Sequence, residues 1–481
     1  MQTKPIDLLI VKPGSQRKLY GDLSKVLSGL EPPIWAAMLA AFVREAGFSV
    51  KIVDMEIEPE MLAPLLIETR PRLIAITVSG TNPSASTMNM VGVRVISDKI
   101  KESGMTIPTI LMGLHPSSLP ERTMREEPVD MVCQGEGFHT LAGLLKNHEN
   151  KEIEGLWYRC AGEIKNNPMA ELVDPDKLPV PAFDLLPMRN YRAHNWHGWT
   201  NGRVRQPYGV IYTSLGCPYS CSFCCINALF GIHKIRQRDP HLVIEDIAYL
   251  VNNYGIKNIK IIDEMFAFKE SHVNKICDLI TERGYDLNIW AYARVDTLTE
   301  NMVGKMKKAG INWLGLGFES GSKKIRDGVT KGRFGNKEVL NAVKMIRGSD
   351  ISIIGNFIFG LPGDDIETMT ETLDMAKNLN CEYTNFYVCM AYPGSRLYDE
   401  TDPRDLPGSW EGYSQFSYET KPLPTRHLRA EEVLKFRDRA FNEFYGSKEY
   451  RDMMSAKFGE EILSEIGDML KYKLSRRLLG D

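Results

Sequence analysis

The strongest constraint in this sequence is an alternation of short apolar runs with amphipathic stretches, and it occurs in two separate blocks. In the first block IDLLIV, SVKIVDME, LIAITVSG, TIPTILMG and VDMVCQGEG read as strands. PPIWAAMLAAFVREAG reads as an apolar-faced helix that opens on a Pro pair and stops at Gly47. Strands separated by helices favour a parallel, doubly wound sheet, whose ligand loops lie at the carboxyl ends of the strands. Those loops carry residues 12–14, 79–82, 113–116 and 134–137. The second block starts at Tyr208 and repeats the pattern in VIYTSLGC, NIKIIDE, LNIWAYARV, WLGLGFES, ISIIGNFIFGLP and YTNFYVCMAYPGS, which predicts a partial (β/α)6 barrel. Between the blocks, EGLWYRCAGEI predicts a small hairpin and LPVPAFDLLP a Pro-punctuated linker. The expected organisation is an α/β chain with four parts: 1–147, 148–207, 208–400 and a helical 401–481.

A chain of 481 residues exceeds one ordinary core, in keeping with several domains. Its net charge of −3 argues against a nucleic-acid partner, which selects a basic face. No apolar run reaches the ~18 residues of a membrane span, and the N-terminus lacks a secretory pattern, so a cytoplasmic location is expected.

Three of the nine cysteines fall within eight residues, as Cys217-x-x-x-Cys221-x-x-Cys224, directly after a strand. Three soft thiolates so placed can reach three corners of one compact centre. A structural zinc site would want a second Cys or His pair nearby, and none follows. On a four-iron cube, three protein ligands leave one iron open for a ligand.

The triplet resembles the signature of the radical S-adenosylmethionine superfamily. IIDEMF, ARVDTL, MKKAGINWLGLGFESGS, GNFIFGLPGDD and AYPGSRLYDE follow in the order of that barrel. The resemblance implies a 4Fe-4S cluster on Cys217, Cys221 and Cys224. It also implies a site for S-adenosylmethionine formed by Phe223, Asp263, Glu264, Arg294, Glu319, Ser320 and Gly360. Asp263 and Glu264 would meet the ammonium, Glu319 and Ser320 the ribose, and Arg294 the carboxylate. Gly360 and Gly363 would admit the adenosine. The superfamily uses the cluster to release a 5′-deoxyadenosyl radical and draws its electron from a donor such as flavodoxin or ferredoxin.

The first block resembles the cobalamin-binding domain of one subgroup of that superfamily, through its Pro-Pro-x-Trp, VDMEIE, VSGT and GLHPSSLPERTMREEPVDMVCQGEG segments. Pro13, Gly14, Ser79, Gly80, Thr81, Gly113, His115, Gly135 and Glu136 are its candidate cobalamin residues. The Asp-x-His-x-x-Gly motif that ligates cobalt from below elsewhere is absent, and His115 is expected to be a hydrogen-bonding turn residue. A nucleotide site of the Gly-x-Gly-x-x-Gly type is also lacking.

Cys133, Cys160, Cys277 and Cys381 are expected to be buried fillers. Tyr387, Cys389 and Tyr392, around the end of the last strand, are candidate catalytic groups. His194, Trp196, His197 and Trp199 are expected to pack a domain junction. Together the resemblances imply an enzyme that moves a methyl group from methylcobalamin to an unactivated carbon of a small-molecule substrate. Oxidative cyclisation, as in the anaerobic magnesium-protoporphyrin ester cyclases, is the alternative. A sensor with a vestigial cluster is the third possibility, and the intact triplet argues against it.

Overall fold

The computed structural model describes residues 4–21, 23–80, 82–147, 150–332 and 334–481, with Val26 described by its backbone alone. The first sheet contains β1 (Leu8–Lys12), β2 (Val50–Asp54), β3 (Leu73–Val78), β4 (Thr109–Gly113), β5 (Met131–Cys133), β6 (Leu156–Cys160) and β7 (Glu163–Asn166). Its order is β2-β1-β3-β4-β5-β6-β7, with β1 to β5 parallel. β3 is buried at all six positions, as a strand covered by helices on both faces must be. The order reverses between β1 and β3, so the loops after these two strands splay apart into a crevice.

The hairpin expected in the linker instead extends this sheet. β6 runs antiparallel to β5, with Met131 opposite Tyr158 and Cys133 opposite Leu156. Cys160 at its tip is exposed, contrary to expectation, because a hairpin end has no layer above it; Cys133, Cys277 and Cys381 are buried.

The second sheet is built from β8 (Tyr208–Ile211), β11 (Asn258–Ile261), β12 (Asn288–Ala293), β13 (Ile311–Glu319), β14 (Ser352–Phe359) and β15 (Tyr383–Val388), all parallel and in that spatial order. A short antiparallel pair, β9 (Ser214–Leu215) with β10 (Arg236–Gln237), branches off after β8. The crossover helices carry their own start and stop signals. Pro240–Tyr254 opens with the Asp239 carboxylate accepting from the His241 N–H and ends on a left-handed Gly255.

A six-stranded sheet leaves a half-open barrel with an edge at β15, where unpaired backbone groups need partners. The C-terminal region supplies them. Tyr445 Oη accepts from the Thr384 N–H at 2.9 Å and donates to the Thr384 carbonyl at 2.7 Å. Gln415 bonds both the N–H and the carbonyl of Val388, and Arg437 donates to the Phe386 carbonyl. Helices Ala430–Tyr445, Lys448–Phe458 and Ile462–Lys471 are held there as a flank. At the amino-terminal end of the barrel the linker inserts Trp196, whose ring lies 5.3, 5.1 and 5.7 Å from those of Trp290, Trp313 and Tyr383. The Trp196 cluster therefore forms the floor of the barrel.

Candidate active site

The pairing of Leu215 with Arg236 and of Ser214 with Gln237 pinches the base of the loop 216–235 at the carboxyl end of β8. Gly216 has φ +89°, and a Cβ there would stand 2.4 Å from the Lys234 carbonyl oxygen, so the turn before the first cysteine admits only glycine. Glu264 fastens the same turn, accepting from the Gly216 N–H at 3.0 Å. Cys217, Cys221 and Cys224 all line a cavity of about 940 Å³ that fills the barrel mouth and interior. Burial, with the neighbouring thiols Cys221 and Cys217 adding to it, pushes the Cys224 thiol up to about 12. Cys225 faces away and donates its thiol to the Ser84 carbonyl, which ties the loop to the first domain.

The other barrel candidates separate into two groups. Phe223, Glu264, Arg294 and Glu319 line the cavity, as do Tyr387, Cys389 and Tyr392. Burial pushes Glu264 up to about 8. Arg294 is held by Asp296 at 2.9 Å and lies 3.8 Å above the Tyr219 ring. Asp263, Ser320 and Gly360 do not reach the cavity. The Asp263 carboxylate is spent on the Thr213 N–H and hydroxyl and on the Ser214 hydroxyl, at 2.7, 2.5 and 2.7 Å. Ser320 bonds Thr372 and the Ser322 N–H. A Cβ on Gly360 would strike Val433 at 2.5 Å and one on Gly363 would meet Ile325 at 3.1 Å, so these glycines make room for neighbouring elements of the protein. In this structure Asp263, Ser320 and Gly360 thus serve the scaffold around the cavity.

One residue that sequence reasoning missed is Lys331. Its ammonium sits 2.7 Å from Glu319 Oε1 and faces the cavity. Burial pulls its pKa down, but Glu319 and Cys221 outweigh burial and raise it, so the charge is retained. Glu319 itself has φ +63° at the bulged end of β13, a strained conformation for a non-glycine residue. The only sequence signal for Lys331 is its place in VTKG, downstream of the strand that ends in Glu319.

At the first sheet, Ser79, Gly80 and Gly113 line a crevice of about 90 Å³ beside the barrel mouth. A Cβ would lie 2.3 Å from the Ala85 oxygen at Gly80 and 2.1 Å from the Val78 oxygen at Gly113. Thr81 lies outside the described residues. The remaining candidates are turned elsewhere. Pro13 and Gly14 pack on Gly92, where a Cβ would meet both at 2.7 Å. Gly135 abuts Met169, and the Glu136 carboxylate holds Arg236 and the Val173 N–H, fixing the linker to the barrel. His115 is buried, bonded to Thr87 at 3.2 Å and set edge-on to Trp410 at 4.5 Å; burial lowers its pKa to about 3, so its ring is neutral.

Fold and thiol loop together define a radical S-adenosylmethionine barrel joined to a B12-binding domain. Residues 22–145 match the B12 binding domain family and residues 211–376 the Radical SAM superfamily. The chain is 30% identical over 453 residues to an uncharacterised methyltransferase of Pyrococcus horikoshii, covering 92% of this chain and 93% of that one. It belongs to the family of B12-binding radical S-adenosylmethionine enzymes. It is also similar to the anaerobic magnesium-protoporphyrin IX monomethyl ester cyclase of Cereibacter sphaeroides, with 25% identity over 88% of this chain and 68% of the relative. Among solved structures, the radical S-adenosylmethionine methyltransferase TsrM of Kitasatospora setae, with cobalamin and a 4Fe-4S cluster bound, shares the fold. Its TM-score is 0.68 at 18% identity, over 92% of this chain and 89% of that chain.

The family's cofactors are a 4Fe-4S cluster, S-adenosylmethionine and cobalamin, and the residues present fit them. Among the described residues no three His, Cys, Asp or Glu side chains converge on a single ion position. The three thiols all open onto one cavity and are close enough to influence one another's titration, and binding a polynuclear centre there would draw off their protons. Ser79, Gly80 and Gly113 line a crevice at the carboxyl ends of β3 and β4, next to the point where the strand order reverses, which is where a doubly wound sheet receives a nucleotide-bearing ligand.

Proposed function

We propose that this chain transfers a methyl group from cobalamin to an unactivated carbon of a small-molecule substrate held inside the barrel. The observation that carries this reading is the continuity of the two spaces. Gln16, Tyr20, Pro83, Ala85, Met88, Ile226 and Glu264 line both the crevice of the first sheet and the cavity of the thiol loop. A single barrel radical enzyme would not need the first sheet's ligand edge to open onto its own reaction space.

When bound, the cluster and S-adenosylmethionine supply a carbon-centred radical, and cobalamin supplies the methyl group. The chain's own residues hold and shield these groups. Cys217, Cys221 and Cys224 anchor the metal centre. The Lys331 ammonium, which faces the cavity and has donors beyond the one directed at Glu319, receives a carboxylate; Glu319 then has an oxygen left for a hydroxyl. Gln16, Tyr20, Leu23 and Leu27 line the cavity, where Tyr20 packs on Phe416 at 5.6 Å and excludes water. Ser79, Gly80 and Gly113 form the cobalamin cradle.

All nine cysteines are free, which suits a reducing cytoplasm and an electron donor such as flavodoxin or ferredoxin. Among the described residues, no helix is long and apolar enough to cross a membrane. The test is anaerobic turnover of the reconstituted protein with reductant. 5′-Deoxyadenosine together with cobalamin-dependent S-adenosylhomocysteine is expected. Deoxyadenosine without S-adenosylhomocysteine would replace methyl transfer by cyclisation or rearrangement, and neither product with an intact cluster would overturn the reading.

A further inference from the structure

Strands β12 to β15 wall one part of the cavity, a chamber in which several polar groups are unpaired. Every second residue at the end of β14 and along β15 reaches the cavity: Ile354, Asn356 and Ile358 on β14, and Tyr383, Asn385 and Tyr387 on β15, with Val388 joining them at the strand end. β12 contributes Trp290 and Tyr292, whose rings meet edge to face at 5.0 Å. Between these aromatic walls β13 presents Gly315 and Gly317; a Cβ on Gly315 would stand 3.2 Å from the Tyr292 ring. The Tyr292 ring lies against Gly315 and the Glu319–Lys331 pair against Gly317, so the glycines let these groups sit close to the sheet and the aromatic faces of β12 and β15 remain to contact a flat molecule.

Among the described residues the hydroxyls of Tyr292, Tyr383 and Tyr387 make no hydrogen bond within the protein. Asn385 donates to Asn356 Oδ1 at 3.0 Å, which orients its own carbonyl oxygen as a free acceptor. Burial raises all three phenols, Tyr383 to about 12, so they remain protonated donors. Buried polar groups in native proteins are normally paired, and a set left idle in one enclosed space is a set reserved for a ligand.

We propose that this chamber binds a compact planar heterocycle or aromatic carbonyl compound, with oxygen or nitrogen acceptors toward Tyr292, Tyr383 and Tyr387 and one N–H or O–H toward Asn385. This rests on the reading of the cavity as the reaction space and adds the substrate class. Size supports it. Pockets for one drug-sized ligand span roughly 300–1,000 Å³. The 940 Å³ here must also hold S-adenosylmethionine, and the space left beside it suits a mono- or bicyclic ring.

The test uses cluster- and cobalamin-loaded protein with S-adenosylmethionine present, equilibrium dialysis as readout, and three probes. Carbostyril is a planar bicyclic lactam, indene has its outline without the polar edge, and the ring-saturated lactam has the edge without the plane. Carbostyril is expected to bind about tenfold tighter than either control, and Tyr387→Phe or Asn385→Leu to remove most of that advantage while leaving indene unchanged. Tyr292→Phe is the substitute variant should either fail to fold by circular dichroism. Equal affinity for the three probes, no binding of any at millimolar concentration, or equal weakening of carbostyril and indene by the variants would overturn the proposal. Uncoupled 5′-deoxyadenosine release is measured in parallel. Lost probe discrimination with cleavage intact removes the chamber assignment alone; lost cleavage with discrimination intact removes the activity alone.

Discussion

The thiol loop and the chamber share one cavity but are built in opposite ways. The loop is contiguous, with three ligands in eight residues on a turn fixed by Gly216 and Glu264. The chamber is dispersed, with several residues from each of β12 to β15 that meet only because the strands lie side by side. A contiguous site is set by the identity and spacing of its members; a dispersed site is set by strand register as well as by the identity of each member. The sharpest way to break this comparison is at the loop. Cys221→Ala should abolish cluster retention, read as loss of bound iron and of 5′-deoxyadenosine below detection. A variant that kept both would mean that the loop, too, shares its work among many residues.

The next effect falls on the cobalamin side. Gly113 has φ +124°, and a Cβ would sit 2.1 Å from the Val78 oxygen, so Gly113→Ala should destabilise the first domain by about 2–4 kcal/mol and cost it cobalamin retention. Chemical denaturation and absorbance of the purified protein measure the two outcomes. Wild-type stability would show that β3 and β4 can part at this point.

Lys331 tests whether a residue unannounced by any motif can matter as much as one inside a motif. Lys331→Met should weaken S-adenosylmethionine binding by about tenfold, equal to about 1.4 kcal/mol. It also leaves Glu319 without its partner, so the double variant with Glu319→Gln should recover stability but not affinity. Asp263 gives the converse result. Its carboxylate accepts three short hydrogen bonds from Thr213 and Ser214, so Asp263→Asn should cost about 1–2 kcal/mol in stability and change S-adenosylmethionine affinity less than twofold. A large loss of affinity without loss of stability would return Asp263 to the ligand.

What could be read from the sequence follows contiguity. The two sheets were visible because strand and helix periodicities are local, and the cysteines because their spacing is. The five parallel strands of the first sheet and the six of the second lie where the apolar runs placed them. The hairpin's attachment to β5 was not visible, since a two-stranded unit carries no local mark of the edge it joins. Asp263, Ser320, Gly360 and Glu136 stood in recognisable segments and proved to hold backbone, hydroxyls or the linker, because a motif records what an element needs to fold as well as what a ligand needs to bind. Tyr292, Asn385 and Lys331 were silent for the opposite reason. Each looks ordinary in its own strand or loop, although an Asn inside an apolar strand such as YTNFYV is a register clue that period-two reading can use.

The smallest expected effect concerns His115, which stands in a conspicuous loop and serves as packing between the first domain and Trp410. Burial lowers its pKa to about 3, below the 6.5 of an unfolded chain. Keeping the ring neutral therefore contributes stability that is full above pH 6.5 and is lost progressively as pH falls from there toward 3. From pH 7 to pH 6 the loss amounts to about 0.7 kcal/mol for one such imidazole. His194 and His197, also lowered to about 3 by burial, add to the same slope. His115→Asn keeps a polar atom toward Thr87 but cannot titrate, so it should remove about a third of that pH dependence in urea unfolding. An unchanged slope would show that the ring already takes up a proton in the folded protein. His115 would then belong with the groups that face the cavity rather than with those that hold the domains together.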